Sequence, residues 1–244
     1  MNEIIINVSV DCVIFGIHNS TFSVLLTKRE LRDDRTGKML VSDYTVQGHH
    51  VLKGENLDEA AKRVLKEKTG LENIFLKQFY AFGNTDRLIR EKDQIWRINN
   101  YPMISNHVFS VGYFALVDSA KVSPDSDHPE SQWFPARQLP ELGYDHKKII
   151  IKALNYLRDE IGREPIGYEL LPEKFTLSQL QLLFETVLDI KLDKRNFRKK
   201  VTQMKYIIAL DEKMSIRGNK PARLYIFSRD VYKKTKKDKN NLFM

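Results

Sequence analysis

The chain has 244 residues, 42% of them hydrophobic and 30% charged, with 40 Lys+Arg against 32 Asp+Glu and a single cysteine, Cys12. This composition excludes a disordered chain and an internal disulfide framework, fits a reducing cytoplasm, and holds no run near the roughly 20 apolar residues of a membrane helix. The charge is uneven: residues 1–160 carry 21 Lys+Arg and 22 Asp+Glu, residues 161–244 carry 19 and 10, so a polyanionic partner is expected for the last third alone.

The first residues carry an early acid and no basic start, so they read as a strand and not a signal peptide. Ile4, Ile6, Val8 and Val10 alternate through a strand over residues 4–17. Cys12 sits in that apolar run and is expected to be a buried thiol. His18-Asn19-Ser20 is a turn, and Phe22–Thr27 is the return strand of a hairpin. Lys28–Ser42 is polar and charged and reads as a loop. Tyr44–Val46 leads into Gly48–Leu71, an extended run, a turn at Lys53-Gly54-Glu55 and a helix. Asn56 is placed to cap that helix. Leu57, Ala60, Ala61, Val64 and Leu65 form its apolar face, and Gly70 stops it. Phe75–Phe82 and Val108–Val117 read as strands. Leu88–Ser105 reads as irregular, with Trp96 either a contact between copies or part of a packed loop. Trp133-Phe134 is a short strand. Asp145 is expected to cap a helix reaching about Ile161.

Arg163–Pro172 holds two prolines and a glycine and reads as a linker. Thr176 and Gln179 make a capping box for a helix striped by Leu177, Leu180, Leu183, Phe184, Val187 and Leu188. Asp189–Leu192 is a turn, and Asp193 caps a second helix over Lys194–Met204. Tyr206–Leu210 and Leu224–Phe227 are strands joined by a basic tip, Asp211–Arg223. The order is that of a winged helix-turn-helix. Lys194, Arg195, Asn196 and Arg198 lie at the start and on the exposed side of the second helix, where base edges are reached. Lys199, Lys200, Arg217 and Lys220 are read as phosphate contacts.

Glu55, Arg63, Glu67, Gly70 and Leu71 fall at the spacing of the Nudix box, and the chain resembles the Nudix family over about residues 5–160. The stretches LLTKR, FGNTDR and SVGYFALV add to the likeness. The resemblance implies a mixed α/β sandwich and, in active members, metal-dependent hydrolysis of nucleoside diphosphates linked to another group. Three positions depart from the box: Val64 and Lys68 replace glutamates, and His49 replaces a glycine. A magnesium site needs several oxygen ligands, valine offers none, and the ammonium of Lys68 repels a cation. No metal, no cofactor and no hydrolysis are therefore expected.

Together the two halves resemble the Nudix-related transcriptional regulators, with FTLSQLQLLFETVLDIKLDKRNFRKKV close to their C-terminal signature. The expected architecture is α/β: a Nudix-type mixed sandwich over residues 1–162, a linker at 163–172, a winged helix over 173–232 and a basic tail at 233–244. The resemblance implies a dimeric repressor on double-stranded operator DNA, released by a metabolite. One branch responds to ADP-ribose; another, in Bacteroidetes, responds to L-arabinose. L-Arabinose is the expectation, because a box without charged ligands suits a neutral sugar. Lys28, Glu30, Asp43, Gln47 and His49 flank the expected cleft as effector contacts. The alternatives are ADP-ribose, an active hydrolase holding a metal at Glu67 and Glu55, and an RNA-binding or scaffold protein.

Overall fold

Apolar alternation in the opening segment builds a 15-residue strand on which the first half of the chain is assembled. The computed structural model describes residues 4–122, 130–215 and 221–241. Two compact units divide between Glu164 and Pro165.

In the first unit the order is β1 (Ile4–His18), β2 (Thr21–Arg32), β3 (Met39–Thr45), β4 (Gln47–Leu52), α1 (Leu57–Thr69), β5 (Phe75–Phe82), α2 (Glu91–Asn100), β6 (Phe109–Val117), β7 (Ser131–Pro135) and α3 (His146–Ile161). The main sheet path is β3-β2-β1-β6-β5. β6 runs parallel to β1, with Val8 opposite Phe109 and Gly16 opposite Val117. The other edge of β1 is divided. Residues 9–12 pair with β4, and residues 14–18 pair with β2. β2 and β4 therefore leave one edge of one strand, and residues of both line a cavity.

The sheet side chains alternate between two helical layers. Val10, Cys12 and Tyr113 meet Ala60, Ala61 and Val64 of α1. On the opposite face Phe114 lies 5.9 Å from the Tyr156 ring of α3, whose Ile149, Ile150, Ala153 and Leu157 are buried. The Asn56 capping box closes the start of α1, and Gly70, at φ 69°, closes its end. Cys12 is a buried free thiol. Among the described residues no helix is long and apolar enough to cross a membrane.

Three segments differ from the sequence expectations. Residues 28–32 continue β2, and β3 already begins at Met39, so the Lys28–Ser42 loop shrinks to a turn. Asp33 organises that turn by accepting from the amides of Arg35 and Thr36 at 3.1 and 2.7 Å. The strand was hidden because its inward residue is Arg29, buried by ion pairing. The irregular Leu88–Ser105 stretch contains α2. Its one fully buried residue is an aspartate, Asp93, which reverses the apolar signal that marks a helix. Finally, Asp145 stands at the N-cap of α3 but makes no capping bond; both its oxygens accept from Arg87 Nε, at 3.0 and 3.1 Å.

The second unit begins with a 3-10 turn, Pro165–Leu170, within the stretch read as a linker. It continues with β8 (Phe175–Thr176), α4 (Leu177–Leu188), α5 (Lys194–Thr202), β9 (Ile207–Met214), β10 (Ala222–Phe227) and α6 (Arg229–Asn241). The sheet order is β8-β10-β9. Both strands of the hairpin start or end beyond their expected limits, and α6 covers most of the expected basic tail. Tyr168 stacks on Phe227 at 4.4 Å, and Tyr206 and Tyr232 complete the aromatic cluster.

Candidate binding cavity and nucleic-acid interface

The two unit cores hold different surfaces in place. In the second unit Thr176 and Gln179 form the capping box of α4, and Asp193 caps α5 through the Asn196 amide at 2.8 Å. The turn between the helices is clamped from α4. Gln181 donates to the Leu192 carbonyl at 3.0 Å, and the Leu192 amide donates to Glu185 at 2.8 Å. Asp189 takes the left-handed conformation that ends α4, which aspartate tolerates better than most residues. Val201 is buried, and Phe184 meets Phe197 at 6.1 Å. Lys194, Arg195, Asn196, Arg198, Lys199 and Lys200 are all left exposed. Arg198 reaches back to Ser178 Oγ at 3.4 Å. Arg217 and Lys220 lie outside the described residues.

In the first unit a cavity of about 290 Å³ is lined by residues of β2 and β4, of α2, of the 101–108 segment and of the start of α3. Gly48 on β4 is required by close approach: a Cβ there would stand 2.5 Å from Asp11 Oδ1. Lys28, Gln47 and His49 are among the lining residues. Asp43 is behind the wall, where it accepts from Arg29 at 2.8 and 2.9 Å and pairs with Lys92 at 2.8 Å. Glu30 pairs with Lys28 at 2.5 Å and is not in the lining.

The wall also holds residues that sequence reasoning did not nominate: Arg29, Lys68, Arg87, Trp96, Arg97 and Tyr101 among them. Arg29 lies between two aromatic faces, 5.1 Å from the Trp96 centroid and 4.4 Å from that of Tyr144. Its charge is answered by Asp43 and Asp93. Burial alone would raise the Asp43 carboxyl, but Arg29 and Lys92 hold it below the ordinary carboxylate value. Arg87 is answered by Asp11 and Asp145. His146 Nδ1 accepts from the Val46 amide at 3.1 Å, which leaves its proton on Nε2, facing Asp11 at 3.8 Å. Burial holds His146 below its ordinary pKa, against the pull of Asp11 and Asp145. Burial likewise depresses His50. Three buried polar atoms of lining residues, Arg29 Nη1, His50 Nδ1 and Arg97 Nε, have no hydrogen-bond partner among the described residues.

Two lining cations stand apart. Lys68 and Arg97 have no carboxylate within ion-pair distance among the described residues, whereas Lys28, Arg29 and Arg87 do. Arg97 donates through Nη1 to the Ile104 carbonyl. Glu130 is the one lining acid without a cation among the described residues.

The box residues do not fit a divalent cation. Both Glu55 oxygens are taken by Arg63, at 2.6 and 3.0 Å, and one also accepts from the Leu52 amide at 2.7 Å. Those bonds, Arg63 first, hold the Glu55 carboxyl below its usual range. Glu67 is turned to the same Arg63 at 3.4 Å. Val64 is buried among Val10, Cys12 and Ala60, where it contributes about 1.5–3 kcal/mol of apolar burial. Lys68 brings a positive charge to the cavity wall. No group of three or more His, Cys, Asp or Glu residues suited to a metal occurs among the described residues.

Comparison with known proteins places both units. The NUDIX domain family matches residues 6–154, and the family described as NrtR DNA-binding winged helix domain matches residues 167–227. The ADPR responsive transcriptional repressor NtrR of Acinetobacter baylyi is 27% identical over 235 residues, covering 92% of this chain and 83% of that protein. The ADP-ribose pyrophosphatase of Methanocaldococcus jannaschii is 28% identical over 135 residues, 55% of this chain and 68% of that enzyme. The crystal structure of Shewanella oneidensis NrtR complexed with a 27mer DNA has a TM-score of 0.72 and 25% identity, covering 92% of this chain and 94% of that one.

Proposed function

From the premise that the chain belongs to the NUDIX family and carries an NrtR-type winged helix behind that domain, we propose that it is a DNA-binding transcriptional repressor released from its operator by ADP-ribose or a close nucleotide sugar. The observation that carries this reading is the exposed cationic face of α5, held by a clamped turn, in the same chain as a Nudix cavity whose box acids are occupied by Arg63. The relative that aligns over most of the chain is an ADPR-responsive repressor.

α5 enters the major groove by its N-terminal residues. Arg195 and Asn196 read base edges, since a guanidinium suits guanine and a carboxamide suits adenine. Lys199 and Lys200 hold phosphates and set the register. A homodimer presents two such helices to a palindromic operator, with half-site spacing fixed by its symmetry. The effector binds in the first-unit cavity and shifts the population toward an arrangement that fits the operator poorly. Its leverage is limited to its difference in affinity for the two arrangements.

L-Arabinose has no support among the relatives described above. The box has lost acids, but the lining still offers charged groups: Lys68 and Arg97 stand there without carboxylate partners among the described residues. Hydrolysis, the rival reading, has against it the engagement of Glu55 and Glu67 by Arg63.

The test is selection of a preferred duplex from a random pool, followed by anisotropy titration with and without ADP-ribose. A selected duplex preferred at least a hundredfold over random DNA and released by ADP-ribose supports the reading. Equal affinity for all duplexes and no release would overturn it. Turnover of ADP-ribose with magnesium, lost on Glu67→Gln, would establish the hydrolase instead.

A further inference from the structure

We propose that Lys68 and Arg97 form a metal-free anion subsite in the cavity, and that the ammonium of Lys68 supplies opposite a pyrophosphate the positive charge that a divalent cation supplies in a metal-dependent Nudix site. The inference rests on the effector reading above and specifies how that effector is held.

The lining cations differ in what answers them. Arg29 faces Asp43 and Asp93, and Arg87 faces Asp11 and Asp145. Lys28 faces Glu30. Each of these cations is already answered by at least one carboxylate. Lys68, half-buried in the last turn of α1, and Arg97 on α2 remain without carboxylate partners among the described residues, while each lines the cavity. Arg97 Nε is buried with no acceptor. Two lining cations without carboxylate partners among the described residues suit an anionic group better than a neutral sugar. A pyrophosphate diester carries two negative charges and several acceptor oxygens, which suit an ammonium and a guanidinium. The same residues do not suit magnesium, because Lys68 and Val64 stand where the box has glutamates and both Glu55 oxygens are taken by Arg63.

The experiment is calorimetric titration of the full chain with ADP-ribose, inorganic pyrophosphate and free D-ribose, in EDTA and again with magnesium. ADP-ribose and pyrophosphate are expected to bind in EDTA, with no gain from magnesium, and D-ribose to bind far more weakly. Lys68→Glu is expected to weaken ADP-ribose on the order of ten- to a hundredfold, the worth of a charge-assisted bond, and Lys68→Arg to keep most of the affinity. Lys68 is half-exposed, and a melting curve matching the parent's confirms that each variant is folded. Binding that requires magnesium, or wild-type affinity in Lys68→Glu, would overturn the subsite. Tight binding of D-ribose with none of either phosphate ligand would do the same. Lys68-dependent binding of pyrophosphate without release of DNA by ADP-ribose would leave the subsite standing and remove the effector assignment.

Discussion

Asp93 is the residue on which α2 is fixed. Its side chain is fully buried and accepts from Arg29 Nη2 at 2.6 Å, Arg90 Nε at 2.7 Å and the Tyr144 amide at 3.1 Å. Asp93→Asn keeps the shape but removes the charge and turns an amide donor toward these donors. Breaking a buried ion pair by removing one partner costs about 3–5 kcal/mol. Arg29 retains its two bonds to Asp43, which places the loss near the low end, about 3 kcal/mol. For a unit of this size about 1 kcal/mol moves the melting point by about 2–4 °C, so the first unit should melt about 6–12 °C lower. The assay is differential scanning calorimetry, which resolves the two units if they melt separately. Asp86→Asn is the control: it breaks an exposed pair with Lys148 at 3.9 Å and should change stability by less than about 0.5 kcal/mol. A melting point for Asp93→Asn within about 1 °C of the parent would refute the claim that this network holds α2 to the cavity.

Other outcomes follow from the same structure. Burial holds His50 and His146 below their ordinary pKa; as pH falls through about 6.5 the unfolded chain takes up protons that the folded chain refuses, so stability should decline on the acid side of that value. A melting point flat from about pH 7.5 to 5.5 would contradict this assignment. Asp193→Ala removes the cap of α5 and should cost the second unit about 0.5–2 kcal/mol, measured by urea unfolding of the full chain. Lys199→Ala and Lys200→Ala should each weaken DNA binding alike for all sequences and lower the salt slope by about one, whereas Arg195→Ala should relax sequence preference. A sequence-selective loss in the lysine variants would reverse those roles.

The two-unit architecture was legible because its signals are local. Asn56, Gly70, the Thr176–Gln179 box and Asp193 lie where capping chemistry puts them, and the stripes of α1 and α4 keep helical spacing. What the sequence concealed lies where charge is buried. Arg29 in β2 and Asp93 in α2 occupy inward positions that pattern reading reserves for apolar residues. Missing them hid α2, and with it Trp96 and Arg97 in the cavity wall. Lys68 was visible as a departure from the box, but only as the loss of a ligand; its place in the cavity lining shows what it adds. The nominated cleft residues divide for the same reason: Lys28, Gln47 and His49 line the cavity, while Asp43 is consumed by the ion network and Glu30, though paired with Lys28, is not in the lining.

The central claim is that occupancy of the first-unit cavity and DNA binding by the second unit are coupled, and coupling between binding sites is reciprocal. The most direct measurement is the ADP-ribose affinity of the full chain, by calorimetry, with and without saturating selected duplex. The account predicts that DNA weakens ADP-ribose binding by the same factor by which ADP-ribose weakens DNA binding. Equal ADP-ribose affinity for the free and the DNA-bound protein would contradict it.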